Sequence, residues 1–291
     1  MILVGHNFAE SLAKLLNCKT ADIEKRTFPD WEVCPRILSE VKDDYAIVAE
    51  RMMLPMKPNG YFIEILLLVK NLKSMGVEKI DVVMPYFVYS RQDAVFRKGE
   101  PFSAKFVLEM LADAGATRFF TVSSHADRDK DMISFSPIPA YNINGFECIG
   151  DYLKGLDFPN PVIVGPDSGA ETFVNTVAKK VRAEKAFFEK ERDLETGKVT
   201  MRADADFHGK EIILIDDIVS SGSTMVSAID ICKKAGAKKI FCAVAHIVSQ
   251  TGIEAISPLV DKFVACNTIH SEISVIPVEG AIAEKITSLK S

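Results

Sequence analysis

Between residues 213 and 224 the chain reads ILIDDIVSSGST. An apolar run ends in two adjacent carboxylates, Asp216 and Asp217, and a row of small hydroxyl residues follows. A strand over 211–215 that ends at Asp216, with a helix starting near Thr224, puts Ser220, Ser221, Gly222, Ser223 and Thr224 at a helix N-terminus. There the free backbone N–H groups and the helix dipole favour an anion. Gly222 lets the backbone approach closely, and the hydroxyls can donate to phosphate oxygens. This reads as a cradle for one phosphate. The G-x-x-x-x-G-K-[ST] pattern of a triphosphate loop is absent. Two adjacent acids can accept hydrogen bonds from vicinal sugar hydroxyls, and a neutral sugar tolerates both where a second phosphate would not. The plainer alternative is a helix cap and turn beside a solvated strand end.

Such a loop needs a sheet behind it, and the rest of the chain supplies the pattern. Apolar strand-like runs occur at 2–5, 46–49, 79–87, 118–123, 161–167, 186–190, 211–219, 239–248 and 262–269. Helix-period segments fall between them: Tyr61 to Met75 closed by Gly76, Phe102 to Ala114 closed by Gly115, Gly169 to Val181, and 224–236. Continuous apolar strands separated by amphipathic helices predict α/β architecture, with parallel sheets covered on both faces. At 291 residues the soft expectation is two domains. The Pro/Asn/Gly-rich stretch 136–145 is the candidate boundary, giving 1–142 and 143–279, with a last helix near 280–291 packing back onto the first half.

Bulk composition narrows the class. The chain is 48% hydrophobic and 26% charged with a formal charge of −5, without the basic excess of a nucleic-acid binder. Its apolar runs, Ile65 to Val69 among them, are far short of the ~20 residues of a membrane span. No basic segment followed by an apolar one opens the chain, so no secretion signal is expected and a cytoplasmic location is. The six cysteines lack CxxC or CxxH spacing, which predicts reduced, packed thiols rather than a zinc site.

The acid pair and loop resemble the phosphoribosyl diphosphate (PRPP) loop of type I phosphoribosyltransferases and their relatives. FPDWEV at 28–33, PYFVYSRQD at 85–93, SSH at 123–125, GPDSGA at 165–170 and FFEKER at 187–192 follow in an order similar to the ribose-phosphate pyrophosphokinase family. The resemblance spans nearly the whole chain and implies two phosphoribosyltransferase-type I-like domains, each a mostly parallel sheet flanked by helices. It implies transfer of a diphosphoryl group from Mg·ATP to the anomeric hydroxyl of ribose 5-phosphate, releasing AMP.

Each segment acquires a role from that resemblance. Phe28 covers a purine face while Asp30 and Glu32 accept hydrogen bonds, with Trp31 beside them, in an adenine site shared with a neighbouring subunit of a homo-oligomer. Arg91 and Gln92, after a strand ending near Tyr89, serve the phosphates and purine of ATP. His125 and Asp167 contact Mg²⁺, a sparse set suited to an ion held largely by substrate phosphates. Lys190 and Arg192 match the catalytic Lys-x-Arg at the start of a flap. There, cations neutralise charge on the transferred group, and Arg192 also reaches the ribose phosphate. By themselves, these residues read more readily as a charged surface hairpin, and the loop downstream reverses that balance. His6, His208, His246 and His270 take an ordinary structural reading, although His246 stands at a strand end.

Four departures stand out. Ser123 lies two residues before His125, where many family members carry an acid, leaving a third protein contact to Mg²⁺ open. Trp31 replaces a common glycine, Ala94 a common basic residue with Arg97 and Lys98 nearby, and Ser220 a frequent Asp. Rival readings are a non-catalytic regulatory subunit, which should lack the flap cations or His125, and a PRPP-sensing nucleic-acid regulator, which should carry a basic patch. A base phosphoribosyltransferase is a third.

Overall fold

The apolar runs assemble into two sheets whose central strands are buried on both faces. A computed structural model describes residues 1–55, 57–166, 168–192, 199–203 and 205–289. The first sheet has six strands, in the order Lys19–Ala21, Ile2–Val4, Tyr45–Ala49, Lys79–Val83, Arg118–Val122 and Ala140–Ile143. Every pair in it is parallel. The second has seven, in the order Val199–Ala203, Glu184–Arg192, Pro161–Gly165, Glu211–Val219, Lys239–Ile247, Lys262–Cys266 and Ser274–Ile276. Its one antiparallel pairing joins Glu184–Arg192 to Val199–Ala203.

Two compact units contain these sheets. One comprises Met1–Asn144 together with Val278–Ser291, and the other Gly145–Pro277. Part of the stretch read as a linker, Ala140–Ile143, is instead the edge strand of the first sheet, paired with Arg118–Val122. The final helix, Glu279–Ser288, packs in the first unit against the helix Asn7–Leu16, burying Ile282 and Ile286 completely.

Local chemistry explains the helices. Pro58–Ser74 starts with a proline whose missing N–H costs nothing at that position, and it buries Phe62, Ile65, Leu68, Val69 and Leu72 along one face. Ser103–Ala114 ends at Gly115, whose φ of 113° suits a left-handed cap. Two strands differ from expectation. The run 79–87 is a strand only to Val83, because Pro85 cannot donate to a ladder. The strand expected to stop at Asp216 runs on to Val219, with Asp216, Ile218 and Val219 paired to Val244, His246 and Ile247.

A buried charge network holds the first sheet. The Arg118 guanidinium donates from Nε to Asp81 Oδ1 at 2.8 Å and from Nη2 to the Tyr45 hydroxyl at 3.0 Å, and Tyr45 donates to the same carboxylate. Asp81 is fully buried, so these bonds replace the water it has lost. All six cysteines are free thiols, and Cys232, Cys242 and Cys266 are buried.

Candidate active site

In the second unit the acid pair sits inside the last turns of a central strand. Ile212 to Ile215 are fully buried and anchor it, leaving Asp216 half-buried and Asp217 at 7% exposure. Each carboxylate accepts a backbone N–H from the following residue, Asp217 N to Asp216 Oδ1 at 2.9 Å and Ile218 N to Asp217 Oδ1 at 2.8 Å. Those bonds fix both side chains at the strand end.

The loop then turns into the helix Ser223–Lys234. Its N-cap is Gly222, with φ 79° and no side-chain capping bond, and no acid occupies its first turn. The reading of SSGST as a side-chain cap therefore does not describe this junction. The side chains of Ser220, Ser221, Ser223 and Thr224 are exposed, with Ser221 Oγ 3.3 Å from Ser223 Oγ. A Cβ on Gly222 would come within 3.2 Å of Ile256 Cδ1. The arrangement offers hydroxyls, first-turn N–H groups and an uncompensated helix dipole to an anion.

Parallel pairing brings the other predicted segments of this unit to the same end of the sheet. Gly165, which closes its strand before the GPDSGA turn, is level with Phe187, and Val164 is level with Leu214. The strand Glu184–Arg192 thus overshoots its neighbour and carries Lys190 and Arg192 beyond it, with Lys190 opposite Met201 and Arg192 opposite Val199. Asp167 and residues 193–198 of the expected flap lie outside the described residues.

The first unit holds the remaining predicted residues. Phe28 to Glu32 form the turn between Ile23–Thr27 and Val33–Ile37, an antiparallel hairpin in which Thr27 pairs with Val33. Phe28 N donates to Glu32 O at 2.9 Å, and Glu32 N donates to Asp30 Oδ1 at 3.2 Å. Trp31 has φ 72°, a region favourable to glycine, and is 70% exposed. Its ring lies under the Lys57 ammonium, 3.5 Å from the centroid, while the Arg26 guanidinium covers Phe28 at 4.7 Å. Arg91 and Gln92 are exposed in a turn well past Val83, where Gln92 N donates to Tyr89 O at 2.9 Å and Gln92 O accepts from Ala104 N at 3.1 Å.

His125 follows the strand Arg118–Val122 and a left-handed Ser123, φ 41°. Arg128 Nη2 lies 3.1 Å from its Nδ1 and 3.2 Å from its Nε2. Asn142 shapes this loop, accepting from Ser124 N at 2.8 Å and donating to Lys130 O at 3.1 Å. A single imidazole beside a guanidinium is a poor cage for a dication. It fits a Mg²⁺ that brings most of its oxygen ligands with it on a polyphosphate.

Two supporting residues, Gly252 and Arg128, were not found by sequence reasoning, and a third, His246, keeps the structural reading given to it at its strand end. Gly252 lies in the helix Gln250–Ile256 where a Cβ would overlap the Ser220 carbonyl oxygen, so it sets the back of the cradle; an isolated glycine in a helical pattern was the available signal. His246 is buried, its Nδ1 2.8 Å from Thr268 Oγ1, which itself donates to Ala245 O at 2.8 Å. The proton therefore belongs on Nδ1, and the pair braces the strand level with Ile218. Arg128 carried no sequence signal at all.

Comparison with known proteins covers both units. Residues 4–115 match the model for the N-terminal domain of ribose phosphate pyrophosphokinase, and 139–279 match the phosphoribosyl transferase domain. The ribose-phosphate pyrophosphokinase of Methanothermobacter thermautotrophicus is 32% identical over 96% of this chain and 96% of its own length. That of Sulfurisphaera tokodaii is 30% identical over 98% and 100%, and that of Pyrococcus furiosus 35% over 88% and 90%. The crystal structure of phosphoribosylpyrophosphate synthetase from Mycobacterium smegmatis matches 100% of this chain and 98% of its own, with a TM-score of 0.85 at 26% identity. A relative this similar over its entire length, together with two consecutive domain matches, shows that the chain belongs to the ribose-phosphate pyrophosphokinase family.

Proposed function

We infer that the chain is a ribose-phosphate diphosphokinase, transferring the β,γ-diphosphoryl group of Mg-ATP to the C1 hydroxyl of ribose 5-phosphate to give PRPP and AMP. The observation that carries this is the strand, acid pair and uncapped helix N-terminus of 211–224, in a chain that matches the family from end to end. The 5-phosphate takes the loop Ser220 to Thr224, where Gly222 admits it against the backbone. Asp216 and Asp217 accept from the ribose hydroxyls and aim the C1 oxygen out of the cradle.

ATP binds with its adenine at Phe28, Asp30, Trp31 and Glu32 and its purine and phosphates at Arg91 and Gln92. Mg²⁺ supplies charge neutralisation on the polyphosphate. His125 and Asp167 are the residues that would hold it. Lys190 and Arg192 stand on the strand Glu184–Arg192 past the end of its parallel neighbour, a placement that supports their task of neutralising charge on the transferred group. Arg192 adds a contact to the ribose phosphate. Attack by the C1 oxygen on the β-phosphorus forms the new O–P bond and breaks the one between the β-phosphorus and the oxygen bridging it to the α-phosphate, so AMP leaves with that oxygen and the hydroxyl proton passes to solvent. No side chain is assigned as general base, because positioning and charge neutralisation carry most of phosphoryl transfer.

An adenine site on an exposed hairpin tip supports sharing with a neighbouring copy, hence a homo-oligomer of at least two chains in the cytoplasm. No helix among the described residues is long and apolar enough to cross a membrane. Incubation of the protein with Mg²⁺, ATP and ribose 5-phosphate tests the reading. Equal amounts of AMP and PRPP are expected. Consumption of PRPP with a free base, or no reaction, overturns it.

A further inference from the structure

Both sheets reverse their strand order at one place, and ligands of open parallel sheets collect there, outside the carboxyl ends of the two diverging strands. In the second unit the reversal lies between Pro161–Gly165 and Glu211–Val219, where the candidate active site is. In the first unit it lies between Ile2–Val4 and Tyr45–Ala49. The residues just beyond those two ends are His6 and Glu50, and Glu64 reaches them from the helix Pro58–Ser74. None of the three belongs to the nucleotide or ribose sites above.

The three groups converge. One ligand atom from each lies within 4.8 Å of the others. Two donors bound at about 2.1 Å to a common ion are at most about 4.2 Å apart, so side-chain adjustments of about an ångström close the set. Glu50 Oε1 accepts from His6 N at 3.1 Å and lies 2.7 Å from His6 Nδ1, which fixes the ring toward the acids. Glu64 is 2% exposed, and its Oε1 makes no hydrogen bond among the described residues. A buried carboxylate oxygen without a donor is costly, and it calls for a cation or proton on that side. Its other oxygen pairs with the ammonium of Lys25, whose side chain is 45% exposed and can swing into solvent. The His6 side chain, 39% exposed, opens the site to water and leaves coordination positions for it.

We propose that His6, Glu50 and Glu64 form a binding site for a first-row transition dication at the strand-order reversal of the N-terminal unit, distinct from the Mg-ATP site. One imidazole and two carboxylates suit Zn²⁺, Co²⁺ or Mn²⁺, and Mg²⁺ prefers oxygen donors and water. The incoming ion takes over the role of Lys25, freeing a side chain that stands three residues before Phe28 on the hairpin strand. Occupancy thereby reaches the adenine hairpin through one salt bridge.

Titration of the metal-stripped, nucleotide-free full chain with Co²⁺, followed by visible absorption and calorimetry, tests this. The wild type should bind one equivalent outside the His125 site, so His125→Ala should retain it. His6→Ala and Glu64→Gln should weaken it at least about tenfold, as loss of a ligand requires. Lys25→Ala, which removes the competing ammonium and leaves all three ligands, should tighten it. Absence of Co²⁺ binding by the wild type, or a site that survives His6→Ala but not His125→Ala, overturns the proposal. Should His6→Ala fail to fold, as judged by circular dichroism, unchanged or weaker binding by Lys25→Ala does so.

Discussion

The crevices at the two strand-order reversals share a topology and differ in chemistry. Around the first, Gly5 leads into the helix Asn7–Leu16, which carries Glu10 in its first turn, and the carboxylates of Glu50 and Glu64 meet His6 and Lys25. Around the second, the helix Ser223–Lys234 has no acid in its first turn, and hydroxyls stand in front of it. A negative side chain at a helix N-terminus consumes the dipole that an anion would use. The first crevice is therefore built for a cation and the second for a phosphate. The same fold serves both because topology fixes where a ligand goes, while the residues at strand ends fix its charge.

Several substitutions would break or sharpen that contrast. The largest effect on activity is expected from Lys190→Ala, which should lower kcat by about a hundredfold to a thousandfold, the scale for losing one charge-stabilising donor, while ATP binding measured by calorimetry persists. Unchanged turnover would remove the flap strand from the mechanism. Arg118→Met strands the Asp81 charge in the first core and should destabilise that unit by about 3–5 kcal/mol, read as a lowered denaturant midpoint. A loss below about 1 kcal/mol would mean that Asp81 is relieved in another way.

Gly222→Ala addresses the phosphate crevice alone. With φ 79° and Ile256 close behind, it should cost about 1 kcal/mol or more of stability and raise the KM for ribose 5-phosphate while sparing that for ATP. An equal rise in both would argue against a phosphate cradle. The smallest change should come from Trp31→Gly. It relieves a left-handed conformation worth about 1–2 kcal/mol but forfeits a cation–π contact with Lys57 worth about 0.5–1 kcal/mol. Stability should stay within about 1 kcal/mol of the parent, and a shift in KM for ATP would locate the adenine at this hairpin.

What the sequence disclosed follows what local patterns can encode. Buried strands such as Ile212 to Ile215 are continuous apolar runs, so the α/β class and the alternation of strands with helices were readable. The hairpin Ile23–Thr27 with Val33–Ile37 was not, because its first strand, IEKRT, is almost wholly exposed and has no hydrophobic rhythm. The helix Gly145–Lys154 was hidden by its own glycines and by the Pro/Asn/Gly-rich stretch before it. At the candidate site, the acid pair and hydroxyl loop announced a strand-to-helix junction through composition. Gly252 behind that loop and Asn142 behind His125 act across 32 and 17 positions of sequence respectively, from Ser220 and His125, and no local window contains both partners. His6 looked like an ordinary histidine for the same reason: Glu50 and Glu64 meet it only after the sheet has formed.

The return of Glu279–Ser288 to the first unit bears on how the molecule is made. Arg51 is drawn electrostatically to Glu279, and the Lys285 ammonium lies 5.0 Å from the Tyr141 ring, so contacts of the first unit wait for residues synthesised after the whole of the second. As the chain leaves the ribosome, the unit begun first is completed last. Until then the side of Asn7–Leu16 that receives the last helix has no cover, and a fragment cut at the boundary near residue 144 would keep that side bare.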